Sequence, residues 1–305
     1  MPKVNGDIGS PFEKAELLNK RLKLFLWGDT GVGKTWLALQ FPRPVVIDME
    51  GSSDLYGDTF KYDVKRTTSP DEVMAAVQWL HTNKHEYCTL VIDPITIYWE
   101  ALQQKWSDIF LLRKEGTKAH KHEFYDTQPK DWMTIKSEFK ELLRKLVSLD
   151  MNVILTARQK TQYADGDFMR AIGDTFDGEK SLPYVFDTIV RMYRSKDDKY
   201  LCNCLKDRSN KLPVSELEWT YESLEGYLGK DLLDREAKPT AWVTDDQLKK
   251  LDKCIKFLDL KEATVINRLR AYNAKTMSDL TESNAQLIID KLEEAVAKKE
   301  KKNNA

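Results

Sequence analysis

The chain has 305 residues, which at about 150 residues per domain predicts two domains. Its 41% of apolar residues can bury a sizeable core, so it is neither a disordered chain nor a disulfide-stapled miniprotein. Lys and Arg number 48 against 49 Asp and Glu, a net charge of -1, which excludes binding of nucleic acid or anionic membrane through bulk charge and leaves only local basic patches.

The opening residues, Met1–Glu16, are mostly polar, carry Asp7, Glu13 and Glu16, and do not read as a signal peptide. Residues 22–27 (LKLFLW) read as a strand ending at Gly28. Val45–Asp48, Leu90–Asp93 and Asn152–Thr156 are three more short, continuous apolar runs, as expected of strands covered on both faces. Thr188–Tyr193 and Tyr200–Leu205 read as two further strands, paired across Ser195–Lys199. Helical patterns lie between them. Thr35–Gln40 continues out of a glycine loop. Ser69-Pro70-Asp71-Glu72 is a capped start before Val73, Ala76, Val77 and Leu80. Trp132–Leu149 carries six apolar residues at helical spacing. Alternating strands and helices predict an α/β fold with a largely parallel sheet, and 160–182 reads as a long polar loop. A boundary falls near Lys238-Pro239. It gives an N-terminal segment 1–20, a core 21–238 and a small helical domain 239–305 with helices near 245–258, 261–273 and 281–298 and a turn at Ser278. That last domain has 13 Lys and Arg against 11 Asp and Glu. No run spans a membrane, and Cys88, Cys202, Cys204 and Cys254 form no CxxC pair. The expectation is reduced thiols in a cytoplasmic protein.

Gly28-Asp29-Thr30-Gly31-Val32-Gly33-Lys34-Thr35 fits G-x-x-x-x-G-K-[ST], follows a strand and opens a helix that continues into Trp36. Glycines let such a loop turn its N–H groups onto phosphates. Lys34 reaches the β- and γ-phosphate oxygens of ATP, and Thr35 offers its hydroxyl to Mg²⁺. Asp93, at the end of an apolar strand, is a second candidate acceptor for Mg²⁺ and its waters. Asp48 and Glu50 close the second strand, and hydrolysis needs a carboxylate that orients and deprotonates water. Glu50 has the longer reach and is the chosen base; a solvated turn is the bland alternative, since Gly51-Ser52-Ser53 follows. Arg158-Gln159-Lys160 follow the fourth strand, where a polar group can sense a γ-phosphate. Lys206 and Arg208 follow the sixth, where two cations can stabilise transferring phosphate charge or simply decorate a hairpin.

For single-stranded DNA the useful stretch is Lys105–Lys121, with Arg113, Lys114, Lys118 and Lys121 flanked by Trp106, Phe110 and Phe124. Arg170 lies in the second long loop, which is acidic on balance. His81, His85 and Cys88 share helical spacing, but no second ligand pair completes a zinc set. Cys202 and Cys204 lie on one face of a strand without a functional reading.

Together these residues resemble the RecA-like ATPases. More closely they resemble the small phage-encoded group of single-strand annealing and recombination proteins known as phage nucleotide-binding or AAA-domain proteins, over about residues 20–215. Val46-Ile47-Asp48-Met49-Glu50 looks like the RecA-type strand whose glutamate activates water. The resemblance puts Asp54 in the place of an adenine-contacting aspartate and Tyr56 near the aromatic that stacks on the base. It makes Lys206-x-Arg208 similar to paired cations inserted into a neighbouring subunit's ATP site, and places either Arg158 or Gln159 as the γ-phosphate sensor. Phe12-Glu13-Lys14-Ala15 resembles a Phe-x-x-Ala subunit-docking motif. The implied protein is an ATP- and Mg²⁺-dependent ATPase that binds single-stranded DNA and forms a homo-oligomer or filament. Its C-terminal helices are similar to small helical domains appended to phage DNA-recombination proteins, and a single-strand-binding protein is a further partner that the resemblance implies. The rival is a P-loop switch acting on a protein partner, such as a helicase loader or packaging factor.

Overall fold

The computed structural model describes residues 20–114, 129–164, 166–213, 215–235, 242–272, 274 and 276–303. In chain order β1 (Lys23–Gly28) turns into α1 (Lys34–Leu39), and β2 (Pro44–Asp48) passes through a 3-10 turn (Asp54–Tyr56) to β3 (Asp63–Arg66). There follow α2 (Pro70–Thr82), β4 (Thr89–Asp93), α3 (Ile95–Lys114), α4 (Pro129–Ser148), β5 (Asn152–Ala164), β6 (Asp167–Phe176) and α5 (Leu182–Val185). The core closes with β7 (Thr188–Arg194), β8 (Tyr200–Asp207), β9 (Leu217–Glu218), α6 (Tyr221–Leu228) and α7 (Lys230–Leu233). Three helices, α8 (Asp245–Leu258), α9 (Glu262–Ala271) and α10 (Glu282–Asn303), make a separate unit.

The sheet order is β3-β2-β4-β5-β1-β7-β8-β9, parallel from β3 through β7, with β8 and β9 antiparallel. The apolar runs explain the layering, because successive side chains on a strand point to opposite faces. Phe25, Trp27, Leu90, Ile92, Val153 and Leu155 meet α2, α3 and α4 on one side. Leu24, Leu26, Val91 and Ile154 meet α1, α6 and α7 on the other. Leu251, Leu269, Ile288 and Ile289 head a third core inside the helical unit. Ser69 caps α2 through the Glu72 amide, and Thr244 with Gln247 forms a capping box at α8, as their sequences predict.

The structure corrects two expectations and adds elements the sequence did not announce. The long loop 160–182 is mostly a hairpin. β5 runs on past the sheet, and β6 returns antiparallel to it, pairing Gln159 with Phe176 and Lys160 with Thr175. The first part of the basic stretch is helical, as α3. Its aromatics are engaged internally: the Trp106 indole donates to Glu138 at 2.6 Å, and Phe110 packs against the core on the α2, α3 and α4 side of the sheet. Lys105 is likewise held by Asp71 at 2.6 Å and Glu138 at 2.8 Å. The stretch before the domain boundary holds two short helices, α6 and α7. Finally, β3, a short and largely exposed strand, carries no apolar run to announce it. The Phe12–Ala15 segment, Lys118, Lys121, Phe124 and the boundary at 238–239 lie outside the described residues, as do the side chains of Arg113 and Lys114.

Candidate active site

Strand order and register assemble the site. β5 lies between β1 and β4, and Gly28 pairs with Arg158 while Asp48 pairs with Asp93. The phosphate-loop start, the sensor candidates and two carboxylates therefore stand in a row across the carboxyl ends of parallel strands, where ligands of α/β folds bind. Gly28 tolerates no side chain: a Cβ there would meet the Met192 carbonyl oxygen at 2.1 Å. Gly31 and Gly33 adopt φ +70° and +87°, which lets the loop curl its amides inward before α1 begins at Lys34. Val32 is buried in the core on the α1, α6 and α7 side of the sheet.

The loop opens onto a cavity of about 490 Å³. Asp29, Thr30, Gly31, Gly33, Lys34, Thr35 and Trp36 form its floor; Glu50, Asp93, Arg158, Gln159 and Tyr56 line the remaining walls. The Lys34 ammonium donates to the carbonyls of Gly28 at 3.0 Å and Asp29 at 2.6 Å. Burial lowers its pKa below the ordinary lysine value, against the pull of Asp93, Glu50 and Asp29. Asp93 is buried and accepts three hydroxyls: Thr35 at 2.6 Å, Ser52 at 2.7 Å, and Thr156 on its other oxygen. Thr35, Ser52 and Asp93 are hard oxygen donors gathered at one point. They fit Mg²⁺, which takes one or two carboxylates and completes its shell with phosphate and water. No group of three or more His, Cys, Asp or Glu forms a metal cage among the described residues, His81 and His85 included.

β2 stops at Asp48, so Glu50 lies in the turn beyond the strand rather than on it. The Asp48 carboxylate accepts the amides of Glu50, Gly51, Ser52 and Ser53 and the Ser53 hydroxyl at 2.6 Å. Burial opposes its charge, but the Ser53 and backbone bonds outweigh burial and hold the carboxyl below the usual aspartate range. Asp48 thus fixes the turn that aims Glu50 and Ser52 into the cavity. Glu50 pairs with the Arg158 guanidinium, and the Gln159 amide oxygen accepts from Arg191 at 3.3 Å. Spacing along the chain missed Ser52 and Thr156; the only signal was a serine in the turn and a threonine ending an apolar run.

The other candidates lie elsewhere. Asp54 is tied to Arg66 at 2.6 Å, and Arg170 stands exposed on β6. Lys206 donates to the carbonyls of Pro183 and Phe186, both at 2.6 Å, and Arg208 pairs with Asp187 at 2.8 Å. Because β8 runs antiparallel, these two cations sit at the end of the sheet opposite the phosphate loop and do not reach the cavity of their own chain. Cys202 is buried beside a half-buried Cys204.

Residues 20–221 match the family described as AAA domain. No curated protein matches the chain. Among 164 matching chains of solved structures is the crystal structure of the RadB recombinase, at 13% identity and a TM-score of 0.41, covering 65% of this chain and 86% of that one. With two thirds of its length inside the family match, this chain belongs to the AAA-domain family of P-loop ATPases.

Proposed function

We propose that this chain hydrolyses ATP and couples the nucleotide state to single-stranded DNA, as a homo-oligomeric protein of the phage annealing or recombination type. The observation that carries the reading is one strand. Arg158 and Gln159 line the phosphate cavity, and the same β5 continues unbroken into the exposed β5–β6 hairpin. The Lys160–Asp177 ion pair joins the two legs of that hairpin at its base, and Arg191–Asp174 ties it to β7 of the core.

In the chemistry proposed, the loop amides and Lys34 hold the phosphates, and Glu50 orients the attacking water and takes its proton. Thr35 and Asp93 would hold Mg²⁺, which supplies charge neutralisation on the phosphate oxygens. Arg158 is shared between Glu50 and any anion entering the cavity. A γ-phosphate competes for the guanidinium, frees Glu50 toward water and shifts β5, which makes Arg158 the sensor of the pair. Lys206 and Arg208 act, if at all, on a neighbour's site, and must then leave their partners in 183–187. A protein partner in place of DNA is favoured by a different observation: Tyr163 and Ile172 are half-exposed apolar groups on the hairpin.

The test is steady-state hydrolysis by the purified protein. Lys34→Ala abolishes turnover, whereas Glu50→Gln retains ATP binding and slows turnover by about 100-fold or more. Equal turnover by wild type and Glu50→Gln removes Glu50 from the chemistry. In the same assay, mixing Lys34→Ala with Arg208→Ala restores part of the activity if the fingers act between subunits; no rescue removes that role.

A further inference from the structure

The C-terminal helical unit encloses a cavity of its own. Leu251 and Ile255 of α8, Leu269 of α9, Leu292 of α10 and Met277 in the turn before α10 line a space of about 150 Å³. Its exposed lining residues are Thr264 and Arg268 of α9 and Lys291 of α10, so these three stand at its mouth. Thr264 and Arg268 are four residues apart and share one helix face. Lys249 and Lys256 of the same unit are paired, with Asp246 at 3.8 Å and Asp252 at 2.6 Å. Arg268 and Lys291 have no carboxylate partner among the described residues. The site is thus an apolar hole with two unpaired cations at its rim. Leaving such a hole empty forfeits dispersion contacts on every side, and its lining offers water almost no partners.

We propose that this cavity takes one large aliphatic or aromatic side chain from an acidic segment of a partner protein, whose carboxylates meet Arg268 and Lys291. Size decides for a single anchor. Apolar cavities of about 150 Å³ take up a molecule as small as benzene, whereas sites that enclose a whole small ligand span about 300–1,000 Å³. A side chain inserted here leaves the rest of its segment on the rim, where the two cations require opposite charge. Single-stranded DNA does not suit the hole, because no aromatic ring stands in the lining to stack a base. The proposal is independent of the phosphate-loop reading and gives the C-terminal unit a role of its own.

The experiment measures fluorescence anisotropy of two labelled peptides with the full chain. Both consist of Asp, Glu and Gly; one carries a single central leucine and the other an alanine in its place. The leucine peptide binds about tenfold or more tighter than the alanine peptide, and its affinity falls as salt rises. Ala295 lies in the cavity lining, so Ala295→Phe fills the space and brings the leucine peptide down to the affinity of the alanine peptide. Arg268→Gln combined with Lys291→Gln changes only exposed side chains, keeps the fold, and weakens the leucine peptide about tenfold. That double variant decides the matter even if Ala295→Phe fails to fold. Equal affinity for the two peptides, binding of neither, or unchanged binding in the double variant overturns the proposal. Sedimentation velocity adds a further arm: a wild-type dimer that Ala295→Phe abolishes assigns the cavity to a second copy of this chain and overturns the acidic partner.

Discussion

Asp48 is two residues from the proposed base and touches no substrate, yet it sets where that base stands. Four backbone amides and one hydroxyl converge on its two oxygens, and the turn they close carries Glu50 and Ser52 into the cavity. Asp48→Ala leaves those amides without their acceptor. It should lower unfolding free energy by about 2–4 kcal/mol in denaturant titration and reduce turnover more than ATP affinity. Unchanged stability and turnover would reduce Asp48 to a spectator. The sequence favours Glu50 over Asp48 by reach alone and leaves a solvated turn as the alternative. What separates them in the structure is the turn: Asp48 bonds forward to the amides of residues 50–53, which leaves Glu50 free to face the cavity. Thr35 and Asp93 were legible as a pair, but the addition of Ser52 and Thr156 was not, because it brings the turn after β2 and the interior of β5 onto a carboxylate far away in the chain.

At the scale of elements, legibility followed apolar content. β1, β2, β4 and the first half of β5 are covered on both faces and read as unbroken apolar runs. The outer half of β5 and β6 pair only with each other, so nothing in their polar sequence required a strand. In α3 the basic and aromatic residues of the helix mimic a nucleic-acid patch, while their partners Asp71 and Glu138 lie on α2 and α4. His81 on α2 shows the same dependence on distant partners. It is buried, its Nε2–H donates to the Lys145 carbonyl at 2.9 Å, and its ring meets Trp242 at 5.5 Å, beside the helical unit. Burial, aided by the charges of Lys145 and Lys23, pushes its pKa down from 6.5 to about 4. The folded chain therefore holds this histidine neutral where the unfolded chain protonates it. Its contribution to stability is complete above pH 6.5 and is lost as pH falls toward about 4, at up to ~1.4 kcal/mol per pH unit. Denaturant titrations from pH 7 to pH 4 should show this slope, and His81→Gln should flatten it. An identical slope in the variant would assign the acid sensitivity elsewhere.

For the whole molecule, the α/β class, the phosphate loop and the C-terminal helices were all legible. The alternation of strand and helix and the caps at Ser69 and Thr244 are local signals. What was not legible is which ends of the sheet meet. Lys206 and Arg208 follow a strand, like the sensor residues, but the reversal at β8 carries them to the opposite end of the sheet. Near-neutral charge likewise says nothing about where a polymer would bind, whereas the hairpin rooted at Arg158 gives one route from the phosphate cavity to the surface. That route is the central claim, and ATP hydrolysis with and without single-stranded DNA at low and moderate salt tests it most directly. The account predicts strong stimulation that fades as salt rises, since phosphate-backbone contacts are lost by counterion competition. Turnover that is the same with and without DNA at both salts would contradict the coupling and leave an ATPase whose hairpin serves a protein partner.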